Sequence, residues 1–333
     1  MQILSRPLAN PTGRRRVSRP IVPPVLRLIG RTPLVTLHFQ PENLKIHAKV
    51  EFTNPSGSIK DRLALHLLTH ARENGLLQPD SVILECSSGN TGISLAMVGA
   101  ALGHRVKTLM SDTASVERRH LITHFGAELH LFQTTRGYVT GIELAEKMAA
   151  ADPRFFLTRQ FANPLNAEDH ALHTGREILA QTRGRVHAFV SGYGTGGTLH
   201  GVSLALRDAN PDVQIVAMEP AEAAMLSGEM PCCHSIEGVA GGFVPPLLHG
   251  VKIDTREPVR SADASAMARR LAREFGLCVG PSSGANVVAA LRTAARLPRN
   301  ANVVTILCDR ADRYCSTRLF NPPTAEFESR TDL

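Results

Sequence analysis

Along the chain, short runs rich in Val, Ile and Leu alternate with longer segments whose apolar positions recur at helical spacing. The short runs read as strands and the longer segments as helices. Strands are expected over 46–52, 82–85, 106–110, 128–132, 187–191, 213–218 and 302–307. Helices are expected over 62–74, 90–102, 115–125, 141–151, 177–181 with its flanks, 198–208, 262–275 and 285–295. This alternation predicts an α/β protein with largely parallel sheets. Such sheets bind ligands at the carboxyl ends of their strands. Four strand-to-helix turns, 54–60, 86–92, 192–198 and 280–284, are rich in Gly, Ser, Thr or Asn, and their coincidence is the main chemical signal of the pattern.

Composition narrows the class. The chain has 333 residues, 43% apolar and 20% charged, which suits about two domains and excludes a disordered tail protein, a collagen-like repeat or a small disulfide scaffold. No apolar run approaches the roughly 18 residues of a membrane span, the longest candidate lying at 95–103, so a soluble protein without a membrane partner is expected. Of the net charge of +7, five units come from Arg6, Arg14, Arg15, Arg16 and Arg19 in residues 1–24, a segment without Asp or Glu. A basic tail attracts phosphate or anionic lipid. The rest of the chain is nearly neutral, so nucleic acid is not an expected partner. Pro7, Pro11, Pro20, Pro23 and Pro24 break any long helix there, and the segment reads as a basic, proline-rich extension. It lacks the apolar region of a secretory signal, while its Arg-rich, acid-free composition leaves an organelle transit role open. Six cysteines without a C-x-x-C pair point to reduced thiols in a cytoplasm. From residue 321 the chain reads as a polar tail.

Several motifs carry candidate chemistry. Gly192-Tyr193-Gly194-Thr195-Gly196-Gly197 joins an expected strand to an expected helix, where backbone N–H groups cradle phosphate. It also satisfies G-x-G-x-x-G, and Glu219 ends the next strand, so a dinucleotide site of a NAD-dependent dehydrogenase is a competing reading. Gly280-Pro281-Ser282-Ser283-Gly284 matches the G-x-S-x-G elbow of hydrolases, but no histidine follows His249 to complete a triad. The pairs His66/His70 and His120/His124 have helical spacing without the Glu of H-E-x-x-H, and no metal is expected. Lys60 lies near the start of an expected helix, where the dipole disfavours a cation. It reads either as a solvated lysine or as an amine of depressed pKa that forms a Schiff base with a carbonyl.

Taken together, these segments resemble the cysteine synthase family (O-acetylserine sulfhydrylase), fold type II enzymes that use pyridoxal 5'-phosphate (PLP). The resemblance covers about residues 27–320. It rests on Ile29-Gly30-Arg31-Thr32-Pro33-Leu34-Val35, Asn54-Pro55-Ser56-Gly57-Ser58-Ile59-Lys60-Asp61-Arg62, Ser87-Ser88-Gly89-Asn90-Thr91-Gly92, Glu117-Arg118-Arg119, Gln160-Phe161-Ala162-Asn163-Pro164, Gly194-Thr195-Gly196-Gly197-Thr198 and Ser282-Ser283-Gly284. Cys308-Asp309-Arg310 is similar to the B-type isozymes, whereas Met218-Glu219-Pro220 and Leu226-Ser227-Gly228 are similar to the A type.

The resemblance implies a tryptophan synthase β-like fold of two open, twisted α/β domains with PLP in the cleft between them. The larger domain would comprise 25–62 and 163–320, and a smaller, mobile, substrate-binding domain 63–162. It further implies that Lys60 holds PLP as a Schiff base, that Gly194, Thr195, Gly196, Gly197 and Thr198 hold its phosphate, and that Asn90 bonds the ring hydroxyl. Ser282 would face the ring nitrogen, with Cys308 beside it. Ser87, Ser88, Thr91 and Gln160 would bind the substrate carboxylate. The implied reaction is β-replacement on an activated serine, O-acetylserine being expected, with Lys60 as the α-proton base and sulfide or a related nucleophile giving L-cysteine. A homodimer and a serine acetyltransferase partner are implied as well.

Three positions depart from the family pattern: Ala114 stands where a Met is usual, Cys86-Ser87 replaces Pro-Thr, and Tyr193 replaces a smaller or aliphatic residue. Ala114 is expected to line the nucleophile side of the pocket and widen it. The competing functions are a sibling enzyme making cystathionine, 2,3-diaminopropionate or another β-substituted alanine, the dehydrogenase above, and a non-catalytic protein that keeps the fold to dock a partner.

Overall fold

The computed structural model describes residues 23–133, 137–230 and 232–321. The basic extension, apart from Pro23 and Pro24, and the tail beyond Asn321 lie outside the described residues. In chain order the elements are β1 (Leu34–Phe39), β2 (Leu44–Val50), α1 (Lys60–Glu73), β3 (Val82–Cys86), α2 (Asn90–Leu102), β4 (Arg105–Ser111), α3 (Val116–His124), β5 (Glu128–Phe132), α4 (Tyr138–Ala151) and β6 (Phe155–Leu157). There follow α5 (Leu165–Asp169), a π-helical turn (His170–Gly175), α6 (Arg176–Thr182), β7 (Ala188–Gly192), α7 (Gly197–Ala209), β8 (Gln214–Pro220), β9 (Thr255–Val259), α8 (Ser261–Phe275), α9 (Pro281–Arg296) and β10 (Val303–Leu307).

Two sheets result. One has six strands in the order β1-β2-β10-β7-β8-β9, the other four in the order β5-β4-β3-β6. Every neighbouring pair is parallel except β1 with β2, whose antiparallel register sets Leu34 against Lys49. Parallel strands are covered by helices on both faces, and β10 accordingly buries all its residues. Its side chains alternate between two cores: Val303 and Leu307 pack with α8 and α9, whereas Val304 and Ile306 pack with Ile178 of α6 and Leu199 of α7. The four-stranded sheet repeats the arrangement. Ile83 and Val106 face α1 and α2, and Leu84, Cys86 and Leu109 face α4.

The elements differ from expectation in instructive places. Three strands, β1, β6 and β9, lie outside the expected runs. α9 begins at Pro281, because a proline at the first helical position needs no N–H acceptor. α1 begins at Lys60 and runs unbroken to Glu73, burying Leu63, Ala64, Leu67, Leu68 and Ala71. A division between residues 62 and 63 therefore falls inside one continuous helix.

The start of α1 is fixed by a buried ion cluster. Arg62 donates from Nε to Glu51 at 2.7 Å and from Nη2 to Glu51 at 2.9 Å, and it forks onto Glu177 at 2.9 and 2.7 Å. Lys49 Nζ donates to Glu177 at 2.7 Å and to the Thr32 carbonyl at 2.6 Å. Thr32 Oγ1 donates to Glu51 at 2.7 Å, Arg31 N to Glu177 at 2.9 Å, and Gly30 N to Asn54 Oδ1 at 2.8 Å. The segment 29–33 thus serves α1 rather than a ligand. Burial pulls the Glu177 carboxyl up, but the Arg62 and Lys49 cations outweigh it and hold the group down at about 2.

Two outcomes are expected. Arg62→Ala leaves the fully buried Glu51 without its cation and Glu177 with Lys49 alone, and the loss of stability by urea unfolding should be about 3–5 kcal/mol. Because the Glu177 value in the folded protein lies below its ordinary 4.5, its stabilisation is present above that pH and is lost as pH falls toward 2. Glu177→Gln should therefore flatten the fall in urea midpoint across this acid window while lowering the midpoint at neutral pH.

Candidate active site

The carboxyl ends of β3, β7 and β10 and the first turns of α1, α2, α7 and α9 converge on one cleft, which encloses about 860 Å³ including its open mouth. All four turns singled out by composition contribute to the wall. Lys60, Ser88, Asn90, Thr91, Gln160, Gly194, Thr195, Gly196, Thr198, Ser282 and Cys308 line it. Ser87, Gly197 and Ala114 are not part of the lining.

Lys60 is the first residue of α1, and among the described residues no hydrogen bond or ion pair holds its Nζ. Burial pushes its pKa down, with Cys308 and Asp309 nearby opposing the shift. An amine in that state is available as a nucleophile toward a carbonyl and as a base.

The turn after β3 is supported from behind. Ser87 Oγ accepts from Gly89 N at 3.0 Å and Gly92 N at 3.1 Å, so Ser87 shapes the turn while Ser88 and Thr91 face the cleft. Thr91 Oγ1 donates to Gln160 Oε1 at 2.7 Å, and Gln160 Nε2 donates to the Cys86 carbonyl at 2.6 Å. Gln160 N and Cys86 N in turn donate to the Glu85 carboxylate at 2.9 and 2.8 Å. Burial pushes Glu85 up to about 7. Gly89, at φ +145°, leaves room that a Cβ would take 2.3 Å from Arg118 Cδ. Arg118 donates to the Ser88 carbonyl at 2.8 Å and contacts Glu237, which ties this turn to the loop carrying Gly238 and Val239. Arg118 of the motif 117–119 is thereby placed behind the turn, while Glu117 accepts from Ser316 and Arg119 donates to the Ala114 carbonyl.

At the start of α7, Gly196 takes φ +86° and a Cβ on Gly194 would lie 2.4 Å from the Gly238 carbonyl oxygen. The first turn of a helix leaves backbone N–H groups without intrahelical acceptors and attracts anions. Asn166 Nδ2 donates to Thr195 Oγ1 at 2.9 Å, and a Cβ on Gly197 would strike Asn166 Oδ1. Gly197 thus supports the loop from outside the cleft. Thr198 Oγ1 lies 3.1 Å from His170 Nε2, and burial lowers His170 to about 4, so its ring is neutral at physiological pH.

Asn90 lines the cleft but is already engaged: its Nδ2 donates to Asp309 at 2.6 Å and its Oδ1 accepts from Arg313 at 2.6 Å. One N–H and one lone pair remain on the amide. Ser282 and Cys308 adjoin each other, and burial raises the Cys308 thiol to about 12, leaving it neutral.

These groups fit the cofactor that the sequence resemblance implies. An unpaired amine, a phosphate-sized helix start and a neutral hydroxyl all face one cleft. The dinucleotide reading fails here, because Glu219 is fully buried and its carboxylate accepts from Tyr193 Oη, Leu226 N and Ser227 Oγ. Tyr193, the bulky departure beside the loop, is likewise buried and points to Glu219 rather than into the cleft.

Ala114 corrects an expectation. It packs beside the core around α2 and α3, and its carbonyl accepts from Arg119 Nε at 3.0 Å, so it does not widen the cleft. The wall instead includes Tyr138, Phe161, Val239, Gly241 and Asn286, none of which the sequence reading assigned to the site. Tyr138 and Phe161 stack at 6.3 Å between centroids, and Phe161 meets Phe243 at 5.2 Å. The available signals were Phe161 within the motif at 160–164 and the Gly241-Gly242 pair.

Residues 25–309 match the family described as "Pyridoxal-phosphate dependent enzyme". The chain is 44% identical over 304 residues to O-ureido-L-serine synthase of Streptomyces lavendulae, covering 91% of this chain and 94% of that one. It is 42% identical over 299 residues to a probable cysteine synthase of Bacillus subtilis, covering 88% and 96%. Among solved structures, the O-acetylserine-dependent cystathionine β-synthase of Helicobacter pylori superposes with a TM-score of 0.86 at 34% identity, covering 89% of this chain and 98% of that one. With its lysine, its phosphate-sized helix start and its carboxylate-sized turn gathered in one cleft, the chain belongs to the PLP-dependent enzymes of fold type II, within the cysteine synthase group of β-replacement enzymes.

Proposed function

We propose that the chain converts an O-activated L-serine, with O-acetylserine as the ester, into L-cysteine by β-replacement with sulfide. The observation that carries this reading is the unpaired amine of Lys60 in the same cleft as two donor-rich turns, one suited to a phosphate and the other to an amino-acid carboxylate.

When bound, PLP supplies an electron sink for the bonds at the amino acid's α-carbon. Lys60 would hold its aldehyde carbon, the first turn of α7 from Gly194 to Thr198 its phosphate, and Asn90 its ring hydroxyl through the remaining N–H. Ser282 would face the ring nitrogen as a neutral partner, in keeping with the neutral thiol of Cys308 beside it. Ser88, Thr91 and Gln160 receive the substrate carboxylate. Gln160 is held for this by Thr91, Cys86 and Glu85, so its amide meets the carboxylate without first losing rotamer freedom. Lys60 Nζ takes the α-proton: its lowered pKa keeps a share of the amine neutral, as a base must be. Tyr138 and Phe161 give the cleft wall an aromatic face, backed by Phe243 against Phe161, which would keep water from the β-carbon.

A second reading rests on the 44% identity to O-ureido-L-serine synthase. Its product carries the β-carbon on the oxygen of hydroxyurea, so the same electrophile would meet an oxygen nucleophile. The test is a steady-state profile of the PLP-loaded enzyme with O-acetylserine against sulfide, hydroxyurea and homocysteine. The proposal expects sulfide to give the highest kcat/KM, and a higher value for hydroxyurea would favour the second reading.

Lys60→Ala should bind PLP without a borohydride-stable linkage and lose turnover by at least about a thousandfold, since it removes both the anchor and the proton acceptor. Retained turnover would displace Lys60 from the chemistry. Ala114→Met should leave the ratio of kcat/KM values for sulfide and hydroxyurea within about twofold, because a change below roughly 0.4 kcal/mol is expected from a side chain outside the cleft. A larger change would return residue 114 to the pocket.

A further inference from the structure

Outside the cleft, α1 meets the turn that follows α5. His66 on α1, Asp169 at the end of α5 and His173 on the π-helical turn each offer a ligand atom, and the three atoms lie within 4.8 Å of one another. Asp169 is 2% exposed. Its Oδ1 lies 2.8 Å from His173 Nδ1, while its Oδ2 is buried without a hydrogen-bond partner. His66 Nε2 is also buried without a hydrogen bond, although Glu168 Oε1 stands 3.4 Å away at the solvent side. A buried carboxylate oxygen and a buried imidazole nitrogen left unmatched in one small space call for a third party.

We propose that His66, Asp169 and His173, with Glu168 at the open side, bind a divalent transition metal of the zinc class. Two imidazoles and a carboxylate are borderline donors suited to such an ion, whereas magnesium and calcium prefer all-oxygen shells. A tetrahedral zinc shell with bonds near 2.05 Å has ligand edges of about 3.3 Å. The ligand atoms lie within 4.8 Å of one another, and His173 Nδ1 and Asp169 Oδ1 are already 2.8 Å apart, so small side-chain shifts bring the set to that size.

The role is structural, since none of the three ligands lines the cleft. The metal would cross-link the helix that begins with Lys60 to the turn whose His170 holds Thr198 at 3.1 Å. It would thus join the amine and the phosphate loop from behind. The sequence pointed away from a metal because its histidine pairs at helical spacing lack a third ligand on the same helix. The observed set combines His66 of one helix with two residues far along the chain, and His70 is not part of it.

The experiment titrates chelator-treated, PLP-loaded enzyme with Zn²⁺ alone by calorimetry, with Mg²⁺ as the hard-cation control. One zinc per chain should bind, with no comparable heat from Mg²⁺. His173→Ala and His66→Gln should each weaken zinc by at least about tenfold, as expected for loss of one ligand, while His173→Ala, at an exposed position, keeps the fold. Cys232→Ser with Cys233→Ser, which removes two exposed thiols, should leave binding unchanged. Zinc should also raise the melting temperature of the wild type and not that of His173→Ala. No saturable zinc binding, equal binding in both histidine variants, or loss of binding in the cysteine variant would overturn the proposal.

Discussion

The position of Lys60 depends on an arginine two residues further along the same helix. A helix start tolerates a cation poorly, and a buried amine lowers its own stability further. Arg62 supplies what Lys60 lacks, forking onto Glu51 from the end of β2 and onto Glu177 of α6. Replacing such a cluster with apolar groups could leave stability unchanged, whereas removing one member would not. Its contribution is therefore specification: it permits one register of α1 against β2 and α6, and hence one place for the amine. Segments 29–33 and 54–62, far apart in role if read as ligand motifs, serve this single constraint.

The second constraint is close approach between the two sheet units. Gly137 takes φ +59°, and a Cβ there would lie 3.1 Å from the Gly241 carbonyl oxygen. Within the single units, Gly194 meets the Gly238 carbonyl oxygen, and Gly89 meets Arg118. These glycines bring polar backbone to the cleft wall at distances that side chains would prevent. Arg118, Asn90 and Arg313 then bridge the turn after β3 to residues near β10 and the 237–239 loop. The cleft is thus assembled from both units, and its turns are positioned by contacts made outside it.

The sequence made the sheet interiors legible because parallel strands buried on both faces are continuous apolar runs. β3, β4, β7, β8 and β10 fall where those runs lie, whereas the expected β5 is a largely exposed edge strand. It concealed β1 and β9, which alternate burial at the sheet edges, and β9 includes Pro258. Proline is confined to edges for lack of an N–H, so the pattern of β9 is that of a loop until its neighbour is known. The three residues of β6 are too few for any period. The start of α9 was hidden for the opposite reason: Gly280, Ser282, Ser283 and Gly284 have the composition of a turn, yet both serines sit in the first helical turn, where Ser282 lines the cleft and Ser283 Oγ accepts from Cys308 N. Ala114 misled because it was placed by correspondence with a family residue, and packing against the α3 core decides its surroundings.

The chemistry shared by this group of enzymes was readable, and the reason lies in how each step is recognised. Holding a phosphate or a carboxylate takes several consecutive N–H and hydroxyl donors, so those sites appear as contiguous motifs at helix starts. Cysteine and O-ureidoserine share one amino-acid skeleton and differ in the group carried on the β-carbon. A small nucleophile offers no such run of groups to bind, and the cleft wall beside those motifs comes from single residues of α4, the 160–161 segment and the 238–241 loop. Identities of 44% and 42% to relatives of different product are averages over the whole chain. The wall beside the cleft is built by scattered side chains such as Tyr138 and Phe161, whose neighbourhood exists only once both sheets have folded around the cleft.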